Sequence, residues 1–294
     1  MSAEPRTEDA QNELPRSPLL RRALDPRMGH STERRLERDL RAATAGGGLT
    51  LYYQPRFSLA SGAVVAAEAL LRWPHPRLGL ISPATFIPVA ERTGLITEIG
   101  GIALLSACRE AAQWAAQREV PGEVPGPIVS VNVSLRQIVS GALLGQLALA
   151  LEESGLSPDR LELELTESTV IEPSVETMLT LAAVRDLGVG IALDDFGTGH
   201  ASLAALKLLP LTVVKLDRSL VRSLPDDRED SAIVQALVAT GHALDLTVVA
   251  EGIETEIQRA FLAGIGCDEG QGFFFSHPQP PAAFATRLML AGQG

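Results

Sequence analysis

From Leu49 onward the chain alternates short apolar runs with longer stretches of helical period, and this alternation restricts the fold more than any other feature. It predicts strands over Leu49–Phe57, Val64–Leu71, Ile128–Val133, Leu161–Leu165, Ile191–Leu193, Thr212–Leu216 and Thr247–Val249, with a last one near Asp268–Phe275. Helical patterns over Ala84–Glu91, Ile96–Gln117, Ala142–Ser154, Glu176–Leu187, Asp230–Leu244 and Glu256–Ala263 fall between or after them, and a C-terminal helix closes the series. About eight strands interleaved with helices is the signature of a (β/α)8 TIM-like barrel, and 294 residues is a length such barrels commonly have. An open doubly wound sheet is the alternative, but no Gly-x-Gly-x-x-Gly follows the first strand. Only a turn, Ser58–Ala63, separates the first two strands, so the start of the barrel is predicted to be irregular and partly antiparallel.

The expected domain layout has three parts. Residues 1–30 carry Pro, Arg, Glu and Ser without periodicity and read as a disordered tail. Residues 31–48 read as a charged helical lead-in with Ser31 as N-cap, ending at Gly46-Gly47-Gly48. The barrel would occupy 49–294. No long apolar run and no signal-peptide core is present, so no membrane span and a cytoplasmic location are expected. A net charge of −11 argues against DNA or anionic membranes as partners, while a small phosphorylated ligand held by cations is compatible with it. Cys108 and Cys267 have no metal or redox spacing and read as buried free thiols. Lysine occurs only at Lys207 and Lys215, so each is informative.

The most telling stretch is Gly190–Gly199, where an apolar strand ends at Asp194-Asp195 before a glycine-rich loop. Alternation sends adjacent strand residues to opposite faces, so both aspartates can serve one site only where the strand gives way to a loop. An isolated Asp-Asp more often serves a turn and solvent. Here other strand ends also deliver polar groups: Glu68, Asn132, Glu164 and Glu167, Lys215 and Asp217, and Glu251. In a barrel these ends converge on the face that carries active sites. Oxygen donors without His or Cys suit hard cations such as Mg²⁺ or Mn²⁺. So many carboxylates repel one another, and two cations about 3.5–4 Å apart offset that charge and suit hydrolysis of a phosphodiester. Lys215, beside cations, would be pressed towards its neutral form and could orient or help deprotonate the attacking water, whereas a salt bridge to Asp217 or Glu251 is its plain structural reading. Lys207 reads as a solvated lysine.

The motifs Tyr53-Gln54-Pro55, Glu68-Ala69-Leu70-Leu71-Arg72-Trp73, Phe86-Ile87-Pro88-Val89-Ala90-Glu91, Ser130-Val131-Asn132-Val133-Ser134, Glu164-Leu165-Thr166-Glu167-Ser168, Asp194-Asp195-Phe196-Gly197, Lys215-Leu216-Asp217, Ala250-Glu251-Gly252-Ile253-Glu254 and Gln271-Gly272-Phe273 stand in one order. Together they resemble the EAL-domain cyclic di-GMP phosphodiesterases. The likeness runs from Leu49 to Phe284. It implies that Glu68, Asn132, Glu164 and Asp194 ligate one metal, and that Asp194, Asp195 and Glu251 ligate a second. It further implies that Lys215 engages the catalytic water, with Glu68, Asp194 and Glu251 completing the catalytic set. Gln54, Leu70, Arg72 and Gln271 would contact or support the substrate, Arg72 meeting a phosphate with its fork of donors. Glu167 would anchor the loop after Asp195, with Asp217 and Glu254 behind the ligands.

The implied activity is hydrolysis of cyclic di-GMP to linear pGpG with two Mg²⁺ or Mn²⁺ ions, in a homodimer open to a regulatory partner. A catalytically silent cyclic di-GMP receptor or protein-binding module on the same fold is the competing reading, since fold alone does not fix activity. Retention of the full ligand set favours the enzyme. Two departures from the family pattern are His200-Ala201 after Gly199, and Arg56 after Gln54-Pro55.

Overall fold

The computed structural model describes residues 29–116, 126–166, 174–197 and 203–291. The predicted tail up to residue 28, residues 117–125, Glu167 and His200 lie outside the described residues. The chain divides into two compact units, one of Leu71–Leu95 with the residues up to Thr50, the other of Leu51–Leu70 with Ile96–Gly294.

In the first unit, helix α1 (Gly29–Ala45) packs on α2 (Pro83–Thr93). The helix begins at Gly29, so Ser31 lies inside its first turn and is not the N-cap that the sequence indicated. Strand β2 (Val64–His75) also outruns its predicted end at Leu71 and turns back into β3 (Gly79–Ile81), with Trp73 opposite Ile81 and His75 opposite Gly79. His75 stabilises this reversal: its Nδ1 accepts the backbone N–H groups of Arg77 and Leu78 at 3.1 and 3.2 Å. An imidazole that accepts twice at Nδ1 carries its proton on Nε2, which faces Asp39 Oδ2 at 3.4 Å.

The second unit holds the barrel. Its strands are β1 (Thr50–Ser58), the first part of β2, β4 (Ile128–Asn132), β5 (Leu161–Thr166), β6 (Gly190–Phe196), β7 (Val213–Leu216), β8 (Thr247–Ala250) and β9 (Glu269–Gly270). They hydrogen-bond in the order β1-β9-β8-β7-β6-β5-β4-β2, and pairing of β1 with β2 closes the ring. All neighbours from β2 round to β9 are parallel, whereas β1 runs antiparallel to β9. The irregular start predicted from the short Ser58–Ala63 turn is therefore present, and Ser58 N–H donates to the Ala63 carbonyl across it.

Helices α3 (Leu95–Ala116), α5 (Ala142–Ser154), α6 (Val175–Asp186), α9 (Arg228–Ala243), α10 (Glu256–Gly264) and α11 (Pro281–Ala291) follow the sequence prediction within a few residues. Short helices α4 (Leu135–Val139), α7 (Leu203–Leu208) and α8 (Arg218–Val221) are too brief to show a period. Two of these are held by their caps: Ser134 and Gln137 form a reciprocal capping box on α4, and the Asp217 carboxylate accepts from Ser219 N–H at the start of α8. Thr255 and Gln258 form a reciprocal capping box of the same kind on α10.

The last strand is shorter than the sequence indicated, with pairing only over Glu269–Gly270. After it the chain presses Gly272 against the backbone of Ile253, where a Cβ would meet the Ile253 carbonyl oxygen at 2.1 Å. Only glycine allows that approach.

Inside the barrel the residues form two rungs. On each strand the residue two positions away lies on the same face. The upper rung, at the C-terminal ends, contains Glu68, Glu164, Asp194, Lys215 and Gln271, all buried. Below it, Ala66, Ala192, Val213 and Val249 give apolar contacts, while Arg56, Glu162 and Glu269 occupy the remainder. Strand β5, Leu-Glu-Leu-Glu-Leu-Thr, directs its leucines to one face and Glu162 and Glu164 to the other, and both glutamates are buried.

Candidate active site

The upper rung is built around Lys215. Its side chain is fully buried, and Nζ stands 2.7 Å from Glu251 Oε1, 3.0 Å from Glu164 Oε1, 3.0 Å from Asp194 Oδ1 and 3.8 Å from Glu68 Oε2. Strands β2, β5, β6, β7 and the end of β8 each contribute one of these groups, as the convergence of strand ends requires.

Asp194 and Asp195 reach one site by a backbone device. Strand β6 continues through Phe196, which would send consecutive side chains apart, but Asp195 takes φ 57° and the β6–β7 register shifts between Leu193 and Phe196. A bulge with one residue in the left-handed region turns the second aspartate back to its neighbour's side, and Asp is among the few residues that tolerate this. Carboxylate oxygens of Asp194, Asp195 and Glu251 consequently lie within 4.8 Å of one another. The sequence expected a loop at this point, and the structure supplies the same freedom within the strand.

Glu68 is oriented by two amides. Asn132 Nδ2 donates to its Oε1 at 3.1 Å, and Gln271 Nε2 donates to its Oε2 at 2.7 Å. Gln271 Nε2 also lies 3.2 Å from Gln54 Oε1, and Gln54 Nε2 donates to the Ser276 carbonyl at 3.0 Å. Both glutamines are buried, so here they steady Glu68. Leu70 is half-buried two residues beyond Glu68. Arg72, in the first unit, donates from Nη1 to the Leu71 carbonyl at 2.9 Å. Asp217 caps α8 and adds its charge near Asp195, whereas Glu254 is exposed beside the α10 cap, its backbone N–H donating to Gln258. Lys207 is exposed as expected.

The electrostatics show a charge deficit. Both Glu164 oxygens and Asp194 Oδ1 are buried without an aligned hydrogen bond, so Lys215 meets them only as an ion. Burial, followed by the charges of Glu68, Asp194 and Glu162, pushes Glu164 well above the usual carboxylate range despite Lys215. Burial and Asp194 push Glu251 up to about 8, and burial with Asp194 and Asp217 pushes Asp195 up to about 6. Burial opposes charge on Lys215 too, but the surrounding carboxylates outweigh it and hold the ammonium well above its ordinary value. This is opposite to the shift expected beside cations, because here the lysine is the countercharge. Orphaned buried carboxylate oxygens of oxygen-only donors fit hard divalent cations.

Sequence reasoning missed the lower-rung charges. Arg56 Nη1 lies 2.7 Å from Glu162 Oε1, and its Nε lies 2.5 Å from Glu269 Oε2. The available signal was Arg56 itself, an arginine inside a buried strand. Both cysteines are buried free thiols, as expected. Among the described residues, no helix is long and apolar enough to cross a membrane.

Comparison with known proteins places this geometry. The EAL domain profile matches residues 37–278. The bifunctional diguanylate cyclase/cyclic di-GMP phosphodiesterase MucR of Pseudomonas aeruginosa is 42% identical over 242 residues, covering 82% of this chain and 35% of that protein. The cyclic di-GMP phosphodiesterase NbdA of the same organism is 40% identical over 256 residues, covering 87% of this chain and 32% of that protein. The chain thus spans about a third of the length of these relatives. Among solved structures, the MucR phosphodiesterase in complex with c-di-GMP aligns with TM-score 0.79 at 41% identity, covering 85% of this chain and 99% of that one. The EAL enzyme Bd1971, bound to cAMP and cyclic di-GMP, aligns with TM-score 0.83 at 30% identity, covering 92% and 73%. With the barrel, the ordered motifs and these relatives in agreement, the chain belongs to the EAL-domain family.

Proposed function

We propose that the chain hydrolyses cyclic di-GMP to linear pGpG with the aid of two divalent cations, Mg²⁺ or Mn²⁺. The observation that carries this reading is the cluster of Asp194, Asp195 and Glu251 oxygens within 4.8 Å of one another, beside the orphaned oxygens of Glu164. Glu68, Asn132, Glu164 and Asp194 would hold one cation, and Asp194, Asp195 and Glu251 the other. When bound, the cations would neutralise the carboxylates, offset charge on the phosphodiester and raise the acidity of water.

The chain's own residues do the rest. Gln271 and Asn132 fix the Glu68 carboxylate, so that it need not reorganise during reaction. Lys215 Nζ, close to Glu251, Asp194 and Glu164, is placed to hydrogen-bond a water among those carboxylates and to orient it towards phosphorus. Leu70 and Arg72 on β2, beyond Glu68, would meet the substrate, Arg72 through a phosphate. Glu167 would anchor the loop after Asp195.

The test is turnover of cyclic di-GMP by purified protein with Mn²⁺ or Mg²⁺, followed by separation of linear product, with Glu68→Ala as control. Product formation that needs metal and Glu68 is the expected result. Tight binding of the dinucleotide without cleavage would sink the hydrolase and leave a receptor.

A further inference from the structure

The lower-rung charges are connected to the upper rung in a way that neither the family assignment nor the proposed chemistry uses. Arg56 is buried inside the barrel, with Glu162 in contact through two nitrogens, at 2.7 and 3.4 Å, and Glu269 through Nε at 2.5 Å. The three residues come from β1, β5 and β9, which are far apart in sequence. Each stands two positions from an upper-rung residue on its own strand. Arg56 follows Gln54, Glu162 precedes Glu164, and Glu269 precedes Gln271.

Side chains two apart on a strand share a face and move together when the strand slides or rotates. Gln271 donates to Glu68 and to Gln54, so Gln54 acts on Glu68 only through Gln271, and Glu164 is in contact with Lys215. The lower cluster therefore ties together the three strands whose upper residues must agree in height. An apolar rung would fill the volume without fixing register. A planar guanidinium with a fork of donors fixes direction as well.

We infer that Arg56 is a positioning residue for the metal-binding rung, acting through Glu162 and Glu269 to set the heights of Glu164, Gln54 and Gln271. The inference rests on the proposed metal site for its function, though not for its geometry. Outer groups that orient ligands typically change metal affinity 10–100-fold when removed.

Two variants test it. Arg56→Lys keeps the charge and loses the fork; Arg56→Met/Glu162→Gln/Glu269→Gln removes the cluster's charge while keeping similar volumes, so that a folded protein is obtained. Mn²⁺ affinity by calorimetry should weaken about tenfold or more in both, and crystal structures should show Gln271 released from Glu68. A purely structural role would lower the melting temperature and leave Mn²⁺ affinity unchanged, and that result overturns the inference. So does a variant crystal structure in which Gln271 keeps its bond to Glu68 and Glu164 keeps its place. The crystallographic arm needs neither metal nor turnover. Failure of the hydrolase reading is seen separately, as wild-type protein that cleaves no cyclic di-GMP.

Discussion

The two rungs of buried charge differ in balance and therefore in purpose. Below, one guanidinium faces two carboxylates, hydrogen-bonded to Glu162 through two nitrogens and meeting Glu269 only as an ion. Above, one ammonium faces Glu68, Glu164, Asp194 and Glu251, with Asp195 beside them. Buried ion pairs are tolerated when charge and hydrogen bonding are complete, and an incomplete set costs free energy. The lower rung is closer to balance, with two acids to one base, although Arg56 Nε and Glu269 Oε2 have no aligned hydrogen bond. The upper rung is incomplete as protein alone, and divalent cations are the natural complement. Location inside one barrel does not decide the role of a buried charge; the ratio of acids to bases does.

The upper rung should respond most strongly to substitution. Asp194→Ala should reduce cyclic di-GMP turnover by roughly 10³-fold or more, since it removes the carboxylate proposed to bridge both cations, while circular dichroism stays that of the folded barrel. Retained activity would mean that the two-cation assignment is misplaced.

Lys215→Met and Arg56→Met compare the rungs directly. Each strips a buried countercharge, and each should lower metal-free stability by about 3–5 kcal/mol before the carboxylates take up protons. Saturating Mn²⁺ should restore much of the loss in Lys215→Met and little of it in Arg56→Met, read as denaturant midpoints. Equal rescue of both variants would erase the distinction.

A smaller effect concerns pH. Glu251 at about 8 and Asp195 at about 6 lie above the value of about 4 expected in the unfolded chain, so the folded metal-free protein binds more protons in between. The stability contribution of these groups then falls as pH rises from about 4 to 8. In chelator-treated protein, Glu251→Gln should flatten that decline. Identical pH profiles for wild type and variant would contradict the charge deficit.

The smallest effect is expected at Glu254. It was placed behind the ligands on the strength of its motif, but its side chain is exposed. Glu254→Ala should change stability by no more than about 0.5 kcal/mol and leave turnover near wild type; a large loss of kcat would return it to the site.

Much of the fold was legible because strand and helix periods are local. The alternation from Leu49, the short turn that makes β1 antiparallel and the carboxylates at strand ends all follow from neighbours in sequence. Short pieces such as α4 and α8 were not legible, because a single turn shows no period and rests on a cap. The extension of β2 depends on His75 accepting the N–H groups of its own reversal, which composition does not reveal.

The kind of barrel and the inventory of candidate ligands are written in local periods and in residue types at strand ends. How that inventory is deployed depends on contacts between distant strands. Asp195 joins Asp194 through a left-handed residue in a bulge. Glu162 faces the barrel interior although its alternating strand gives no sign of which face is buried. Arg56 meets Glu162 across 106 residues, and Gln271 meets Glu68 across 203. Such pairings arise from closure of the ring, which brings distant strands to one axis, and no local pattern records them.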